Sequence, residues 1–332
     1  MNKINKHIEI VRSEKVGSGG MSRSTSDKVF EVLSSAYESV GVSIVTDELG
    51  LEALVLKRPD LVFLGSSKIR LATEDSTEFS YIWLSEYLEQ HGINYTGSGK
   101  LAMEINNDKE MAKFAIVSAG LPTSKYFTAL PGEHEFEQNL GLDFPLFIKP
   151  ISSGGSKGIN KDSVVHNNDS FNSKVQAIFE EFGTKSLVES YLTGREYSVA
   201  LLGNGRSLKA MPIELLTQKN SRGDRILCSA VKKEDTEQVV AVTNEALKKR
   251  LAKLAKQIFM VLGARDYGRV DFRMDAAGKI HFLEANLAPG LGGGYFTRAC
   301  SLNGEAEYSD TILAIARLGL GHTDLVGSAV TI

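Results

Sequence analysis

The sequence predicts an α/β fold in which an open parallel sheet precedes two further units of mixed α and β structure. Residues 7–96 alternate short apolar runs with helical patterns, which is typical of parallel strands with helices on the sheet faces. A strand pattern at 144–149 leads into the Ser- and Gly-rich stretch ISSGGSKG. Residues 264–294 have the pattern of a hairpin followed by a glycine-rich loop. We therefore predict units at 1–98, 99–192 and 193–332.

The first predicted unit holds three strand patterns, HIEIVRSEKVG, VSIVT and DLVFLG. A helix capped at Ser26-Asp27 is expected to run to Tyr37, and a second helix is expected over 81–92. The turn GSGGMS at 17–22 lacks the Gly-Lys-Ser/Thr ending of a Walker A loop and the spacing of a dinucleotide-binding turn. We interpret it as a tight turn that lines a substrate cleft.

The other two units mix helices and strands less regularly. The second unit is expected to contain a helix over 108–119, a strand at 144–149, a helix over 171–182 and the strand SLVESYL. The third is expected to contain the strands GREYSVALL and SLKAMPIELL, a polar loop over 217–229, a long helix over 237–261, the hairpin and a helix over 309–318.

The stretch ARDYGRVDFRMDAAGKIHFLEANLAPGLGGG predicts a β-hairpin in its first two thirds. GRVDFRM alternates polar and apolar residues, DAAG supplies the turn and KIHFLEAN returns. With a two-residue loop at Ala277-Gly278, Asp271 faces Glu284 and Arg269 faces Asn286. Opposed residues share a sheet face, so these four side chains are expected to lie together. The other face is expected to carry Val270, Phe272, Met274, Leu283 and Ala285.

The two opposed carboxylates of this hairpin predict a cation site. Their Cβ atoms would lie about 5 Å apart, and like charges at that distance destabilise a sheet. Two carboxylates and an amide oxygen are hard ligands that suit Mg²⁺ better than zinc. A solvated polar face on an ordinary amphipathic hairpin explains the hairpin equally well by itself. The loop LAPGLGGG favours the metal, because backbone N–H groups can approach an anion closely there.

The composition excludes several classes of protein. The chain has 332 residues, of which 42% are hydrophobic and 24% charged, as in ordinary globular proteins. A formal net charge of −3 gives no support for binding to nucleic acid or a membrane surface. Cys228 and Cys300 are too few for a disulfide framework. The sequence has no apolar targeting segment and no run of about 18 apolar residues, so we predict a cytoplasmic protein.

Other polar residues point to a nucleotide. Lys149 ends a strand before a loop whose N–H groups could wrap phosphates, and Glu189 and Glu196 bracket the connector LTGR. Each of these residues alone is more simply explained as a solvated surface side chain. Together with the carboxylate pair and the glycine loop, they favour a site for ATP and Mg²⁺.

The chain resembles the ATP-grasp superfamily and, within it, the D-alanine–D-alanine ligase family. The resemblance covers most of the sequence. It is strongest in NYTGSGKLAMEINNDKEMAK, FPLFIKPISSGGSKG, LVESYLTGREYSVALLG and DYGRVDFRMDAAGKIHFLEANLAPG. It implies an N-terminal Rossmann-like domain followed by a two-subdomain ATP-grasp fold, with the hairpin in the C-terminal subdomain. It also implies a homodimer.

The resemblance carries several roles to single residues. It implies that the following residues contact ATP: Lys109 and Lys149 at the phosphates, Gly155, Ser156 and Gly158 in the loop that covers the phosphates, Glu189, Tyr191 and Leu192 beside adenine, and Glu196 at the ribose. It implies that Asp271, Glu284 and Asn286 hold two Mg²⁺ ions, for which Mn²⁺ can substitute. Catalytic roles are implied for Arg269 beside the transferring phosphoryl group, for Gly290 through an N–H that binds the oxyanion, and for Ser156.

The reaction that this resemblance implies has two steps. A carboxylate attacks the γ-phosphate of ATP and gives an acyl phosphate and ADP. An amine then attacks the acyl carbon, phosphate leaves, and an amide forms. Such a protein mostly positions the reactants and balances their charge.

The half that binds amino acids departs from the family. Ser24 stands where the family has a Glu that holds an ammonium group, and Tyr295 stands where it has a serine that binds a carboxylate. The histidine segment near residue 65 and the EAKY loop are also replaced. Arg23 and Lys68 could meet an acidic group instead, or lie on the surface.

These departures lead to three hypotheses. The first is a ligase for acids and amines other than two D-alanines. The second is a divergent but genuine D-alanine–D-alanine ligase of cell-wall synthesis. The third, a non-catalytic nucleotide-binding sensor or scaffold, has no need of Arg269.

Overall fold

The computed structural model describes residues 2–13, 20–72, 79–134, 141–152, 154–304 and 307–322. Part of the turn at 17–22 and part of the replaced segment near residue 65 lie outside these residues. None of the described helices combines the length and the hydropathy that a membrane span requires.

The N-terminal part forms the predicted parallel sheet, in the strand order β2-β1-β3. Its elements are β1 (Ile4–Arg12), α1 (Arg23–Ala36), β2 (Tyr37–Ile44), α2 (Glu48–Leu56), β3 (Leu61–Leu64), β4 (Lys68–Ala72), β5 (Phe79–Trp83) and α3 (Leu84–Gln90). Ser22 caps α1 with its hydroxyl on the N–H of Thr25, so the helix begins three residues before the predicted cap. The helix predicted over 81–92 is shorter, because residues 81–83 pair with β4 as part of β5.

The middle of the chain forms a four-stranded antiparallel sheet with the order β6-β9-β7-β8. Its elements are α4 (Lys100–Asn107), α5 (Lys109–Ser118), β6 (Tyr126–Ala129), β7 (Leu146–Pro150), β8 (Val164–Val165), α6 (Asn168–Phe182) and β9 (Ser186–Ser190). Asp108 caps α5 through the N–H groups of Glu110 and Met111, which fixes Lys109 as the first helical residue.

The last part contains a five-stranded antiparallel sheet in the order β12-β11-β10-β13-β14. Its elements are β10 (Glu196–Leu202), β11 (Lys209–Leu216), α7 (Ser229–Glu234), β12 (Gln238–Ala241), α8 (Glu245–Val261), β13 (Tyr267–Met274), β14 (Ile280–Asn286), α9 (Tyr295–Leu302) and α10 (Tyr308–Leu320). The prediction of one helix over 237–261 is wrong. Residues 238–241 pair with β11, and the side chain of Asn244 starts α8 by accepting the N–H of Leu247.

The two faces of this five-stranded sheet pack against different helices. Tyr197, Val199 and Leu201 of β10 share a buried cluster with α8. Ala200 of the same strand lies in a second cluster, with residues of β11, α9, α1 and α10. Because side chains alternate along a strand, every second residue of β10 and β13 faces the side where α9 lies.

Candidate active site

The hairpin of β13 and β14 brings the predicted ligands together in the predicted register. Arg269 pairs with Asn286 and Asp271 pairs with Glu284. We call these four residues the hairpin row. The pairing of Ser198 with Asp271 extends this row onto β10. Thus Ser198, Asp271 and Glu284 lie side by side on the face where α9 lies.

The turn of the hairpin differs from the prediction. Met274 pairs with Ile280, and residues 276–278 form a three-residue loop, so the two-residue loop at Ala277-Gly278 is wrong. The N–H of Gly278 bonds to the carbonyl of Asp275 at 3.1 Å, and Gly278 takes a left-handed φ of 78°. An irregularity between Asp271 and Phe272 shifts the strand register by one residue, which restores the predicted pairs at the ligands. It also lets Leu283 line the cleft, against the prediction that Leu283 faces the core.

A buried ion pair occupies the centre of this row. Arg269 donates from Nε to Oδ1 of Asp271 at 2.9 Å and from Nη2 to Oδ2 at 2.8 Å, and Ser198 donates to the same Oδ1 at 2.6 Å. Burial alone would lower the pKa of Arg269, but Asp271 and Glu284 raise it above its ordinary value. Burial would likewise raise the pKa of Glu284, but nearby lysines and Arg269 lower it. Glu284 therefore stays ionised.

The donor set of this row fits a hard divalent cation. Asp271 and Glu284 supply carboxylate oxygens from directly opposed positions, and Asn286 supplies an amide oxygen two residues on. Asp271 Oδ2 accepts one hydrogen bond from Arg269, which leaves it a lone pair for a metal. The pairing of Asp271 with Arg269 is thus compatible with metal binding.

A second cluster of buried charges lies where β7, β9 and α5 meet. Glu189 Oε1 lies 2.7 Å from Lys113 Nζ and accepts the hydroxyl of Ser124 at 2.7 Å, while Oε2 lies 2.9 Å from Lys149 Nζ. Burial would raise the pKa of Glu189, but the two lysines lower it to about 2. Burial would lower the pKa of Lys149, but Glu189 and Glu284 outweigh that effect and raise it. Glu189 therefore anchors two ammonium groups, and its contact with adenine stays a prediction.

Lys109 lies close to this cluster, but its pKa shifts in the opposite direction from that of Lys149. Its Nζ donates to the carbonyl of Pro150 at 3.2 Å. Burial, against the opposing field of Glu284, lowers the pKa of Lys109 to about 8. An incoming phosphate would raise the pKa of Lys109 again and so stabilise its ammonium form.

The Ser- and Gly-rich loop after β7 folds back over the same region. Gly155, Ser156 and Gly158 all have left-handed φ values, between 61° and 74°. A Cβ on Gly158 would come within 2.4 Å of Pro150 Cγ, so only glycine fits there. Ser156 is buried, and its hydroxyl accepts a hydrogen bond from Lys232 of α7 at 2.8 Å. This contact fixes α7 to the loop.

A cleft that opens to solvent lies between the four-stranded and the five-stranded sheets. Its lining residues are Ser124, Phe147, Lys149, Ser156, Ile159, Glu189, Ser190, Tyr191, Leu192, Glu196, Leu227, Asp271, Arg273, Leu283 and Glu284. The lining combines apolar and aromatic side chains with charged ones, which suits a molecule with a flat ring and a polyanion.

Arg273 ties the walls of this cleft together. It lies 3.5 Å from Glu196 Oε2 and donates to Tyr191 Oη at 3.2 Å and to the carbonyl of Arg225 at 2.9 Å. Tyr191 Oη also accepts the N–H of Arg225 at 2.8 Å. The loop at 217–229, which has no helix or strand before α7, is thereby held against the cleft. Burial raises the pKa of Glu196, although Arg273 opposes the rise.

Comparison with known proteins identifies the family. Residues 116–315 match the family model described as the D-ala D-ala ligase C-terminus. The chain is 31% identical over 292 residues to the D-alanine–D-alanine ligase of Bordetella pertussis (strain Tohama I). This match covers 84% of this chain and 85% of that relative. This chain belongs to the D-alanine–D-alanine ligase family.

Other relatives and solved structures agree with this assignment. The D-alanine–D-alanine ligase of Laribacter hongkongensis (strain HLHK9) is 35% identical over 215 residues, or 61% of this chain. The matches to the first relatives span a little under two thirds of their length, 63% and 65%. The crystal structure of the Bacillus anthracis ligase complexed with ATP superposes with a TM-score of 0.75 at 21% identity, over 97% of this chain and 100% of that one. The predicted ATP-grasp fold is thereby confirmed.

The structure assembles most of the residues that the family resemblance predicts. Ten of the fourteen assigned residues line the cleft or lie in the hairpin row, as described above. Gly290 is exposed beyond the end of β14 and is not among the cleft-lining residues. Its role at the oxyanion, like the other assigned roles, stays a prediction.

Three charged residues of the site were not predicted. Arg273 shares the alternation of Arg269 and Asp271, so the strand pattern could have placed it on the same face. Lys113 lies one helical turn after Lys109. Lys232 stands in VKKED, which has no recognisable spacing, and only the folded chain brings it to Ser156.

Two of the residues that depart from the family pattern, Ser24 and Tyr295, lie next to the glycine-rich loop that follows β14. Ser24 is in the first turn of α1, and a Cβ on Gly292 would come within 2.6 Å of Thr25 Oγ1, so this turn touches the loop. Tyr295 begins α9 and donates its hydroxyl to Glu237. Lys68 lies 3.9 Å from the ring of Trp83, and Arg23 is exposed.

Proposed function

We propose that this protein is an ATP-dependent ligase that joins two D-alanine molecules through an acyl phosphate. The single observation that carries the proposal is the row of Arg269, Asp271, Glu284 and Asn286, which faces a cleft containing Lys149. The family membership supports the choice of D-alanine, because the relatives bear that name.

The chemistry follows from the charges at the cleft. In the first step, a carboxylate oxygen attacks the γ-phosphorus and the bond to the bridging oxygen of ADP breaks. Arg269, Lys109 and Lys149 provide positive charge near this centre. In the second step, the amine nitrogen attacks the acyl carbon, phosphate leaves with the bonding electrons, and the nitrogen loses a proton. Mg²⁺ held by Asp271, Glu284 and Asn286 would neutralise phosphate charge.

A second candidate function is a ligase of the same chemistry that acts on a different acid and amine. Ser24 favours it, because it lacks the charge of the Glu at the matching family position. Tyr295 favours it too, because it replaces the small hydroxyl of a serine. Under either function, the cytoplasmic location and the homodimer stay predictions from the sequence.

The experiment is phosphate release with Mg-ATP against D-alanine and a panel of other amino acids, singly and in pairs, with the product mass read in parallel. Release with D-alanine alone, together with the mass of its dipeptide, supports the first function. Release with only another pair supports the second. Silence with every pair, while ATP still binds, contradicts the first function and favours either a non-catalytic protein or an acid outside the panel.

A further inference from the structure

Two unpartnered polar atoms lie at the edge of the five-stranded sheet. The last pair between β11 and β12 is Leu216 with Gln238. Thr217 directly follows Leu216, and Glu237 directly precedes Gln238. Thr217 and Glu237 therefore stand opposite each other, one position beyond the last pair. Thr217 Oγ1 and Glu237 Oε2 are both buried and have no hydrogen-bond partner among the described residues. Buried polar atoms without a partner are uncommon, because they lose their bonds to water.

These two residues lie on the same sheet face as the cleft. Leu215, two residues before Thr217, pairs with Glu196 of the cleft on one side and with Val239 on the other. Residues two apart on a strand share a face, so Thr217 and Glu237 belong to this side. The hydrogen bond from Tyr295 of α9 to Glu237 agrees with this placement, because α9 covers the same face.

Tyr295 connects this edge to the reaction centre. Its hydroxyl is bonded to Glu237, whose side chain is only 6% exposed. Its ring centre lies 5.4 Å from Arg269 Cζ and 5.7 Å from Lys232 Nζ. The free carboxylate oxygen therefore lies about one tyrosine side chain away from the arginine assigned to phosphoryl transfer.

The chemistry of these atoms selects a small cation that donates hydrogen bonds. Glu237 Oε2 and Thr217 Oγ1 can each accept one hydrogen bond. Tyr295 Oη donates a hydrogen bond to Glu237 and can still accept one. An ammonium group has three N–H donors and a positive charge that the carboxylate compensates. An anion would be repelled by Glu237, and a neutral hydroxyl would leave the carboxylate uncompensated.

We propose that Glu237, Thr217 and Tyr295 form a subsite for the ammonium group of the amino-acid substrate. This inference rests on the proposed function and adds to it the residue that selects a protonated amine. In this assignment Glu237 determines specificity, and Tyr295 positions the Glu237 carboxylate on the side of Arg269.

Equilibrium binding tests the subsite without turnover. D-alanine and D-lactate differ in carrying an ammonium or a hydroxyl group at the same carbon. Each is titrated calorimetrically into the full chain with Mg²⁺ and a non-hydrolysable ATP analogue. We expect the wild-type protein to prefer D-alanine. Glu237→Gln should weaken D-alanine binding about tenfold or more, the usual effect of removing a charged hydrogen-bond partner, and leave D-lactate binding unchanged. Thr217→Val should have a smaller effect in the same direction.

The matched control is Glu214→Gln. Glu214 is a buried carboxylate near the end of β11. It belongs to the opposite sheet face and is bound by Arg195. This variant should keep the wild-type preference. A wild-type protein that binds D-alanine no better than D-lactate overturns the proposal, as does a Glu237→Gln variant that keeps the preference while its unfolding midpoint shows an intact fold.

Failure of the subsite and failure of the proposed function give different results. If D-alanine is ligated by both the wild-type and the Glu237→Gln protein with equal KM, the subsite is refuted and the function stands. If no dipeptide forms but the Glu237-dependent preference for D-alanine persists, the subsite stands and the proposed function is refuted.

Discussion

Replacing Glu189 with Gln should destabilise the fold, because it leaves two buried ammonium groups without their counter-charge. Glu189 lies 2.7 Å from Lys113 and 2.9 Å from Lys149, and all three side chains are buried. The pKa of Glu189 falls from 4.5 to about 2 on folding. At about 1.4 kcal/mol for each pKa unit, this is worth about 3 kcal/mol at pH 7. Breaking a buried pair by removing one member typically costs about 3–5 kcal/mol, which agrees.

The stabilisation that Glu189 provides should depend on pH in a definite direction. A carboxyl whose pKa is lower in the folded state stabilises the protein above its unfolded pKa, here 4.5, and that stabilisation is lost as the pH falls towards 2. The difference in unfolding free energy between the wild-type and Glu189→Gln proteins should therefore be full at pH 7 and shrink below pH 4.5.

Urea unfolding followed by circular dichroism at several pH values measures this difference. Glu31→Gln on the exposed surface of α1 is the control, and it should change stability by less than about 0.5 kcal/mol. A Glu189→Gln variant within 1 kcal/mol of the wild type at pH 7, or a difference that grows on acidification, would refute the role of Glu189 as an anchor.

Three further outcomes are expected of the reaction centre. Arg269→Ala should lower kcat by about 10³-fold while the Kd for ATP changes little, as measured by phosphate release and by calorimetry, and Arg206→Ala on the surface should change neither. Glu284→Ala should abolish Mg²⁺-dependent ATP use, and an unchanged Mg²⁺ response would contradict the metal assignment. The affinity for ATP should fall as the pH rises through about 8, because Lys109 then loses its proton, and Lys109→Arg should remove this dependence.

The hairpin could be predicted from the sequence because two independent constraints agree on it. Strand alternation fixes which residues share a face, and the opposed carboxylates require a cation on that face. The turn could not be predicted as reliably. DAAG fits a two-residue or a three-residue loop, and the choice depends on Asp275, whose side chain accepts the N–H groups of Ala277 and Lys279.

The buried charge cluster could not be predicted, because it depends on contacts between distant segments. Lys113 and Glu189 are far apart in the chain and meet only when α5 packs beside β9. Strand β12 was missed for a related reason. QVVA continues the apolar spacing of α8, and only its pairing with β11 decides its structure.

The two lysines that the family resemblance treats alike should respond in opposite ways to Met substitution. Lys149→Met removes an ammonium whose pKa is raised by Glu189 and should destabilise the fold by about 2–4 kcal/mol. Lys109→Met removes an ammonium that burial disfavours, since its pKa falls from 10.5 to about 8. Folding therefore penalises this charge by about 3 kcal/mol at pH 7, and the Met variant should be more stable by about 1–3 kcal/mol.

Both Met variants should bind ATP more weakly, so stability separates the two roles. Lys149 is a charge that the fold has already compensated, whereas Lys109 is held at a cost that an arriving phosphate would offset. Urea unfolding of the ligand-free proteins measures the contrast, with ATP affinity measured in parallel. A Lys109→Met protein that unfolds at lower urea concentration than the wild type would show that the Lys109 ammonium is stabilised in the fold before any nucleotide binds, and the assignment of its charge to ATP would then lose its physical basis.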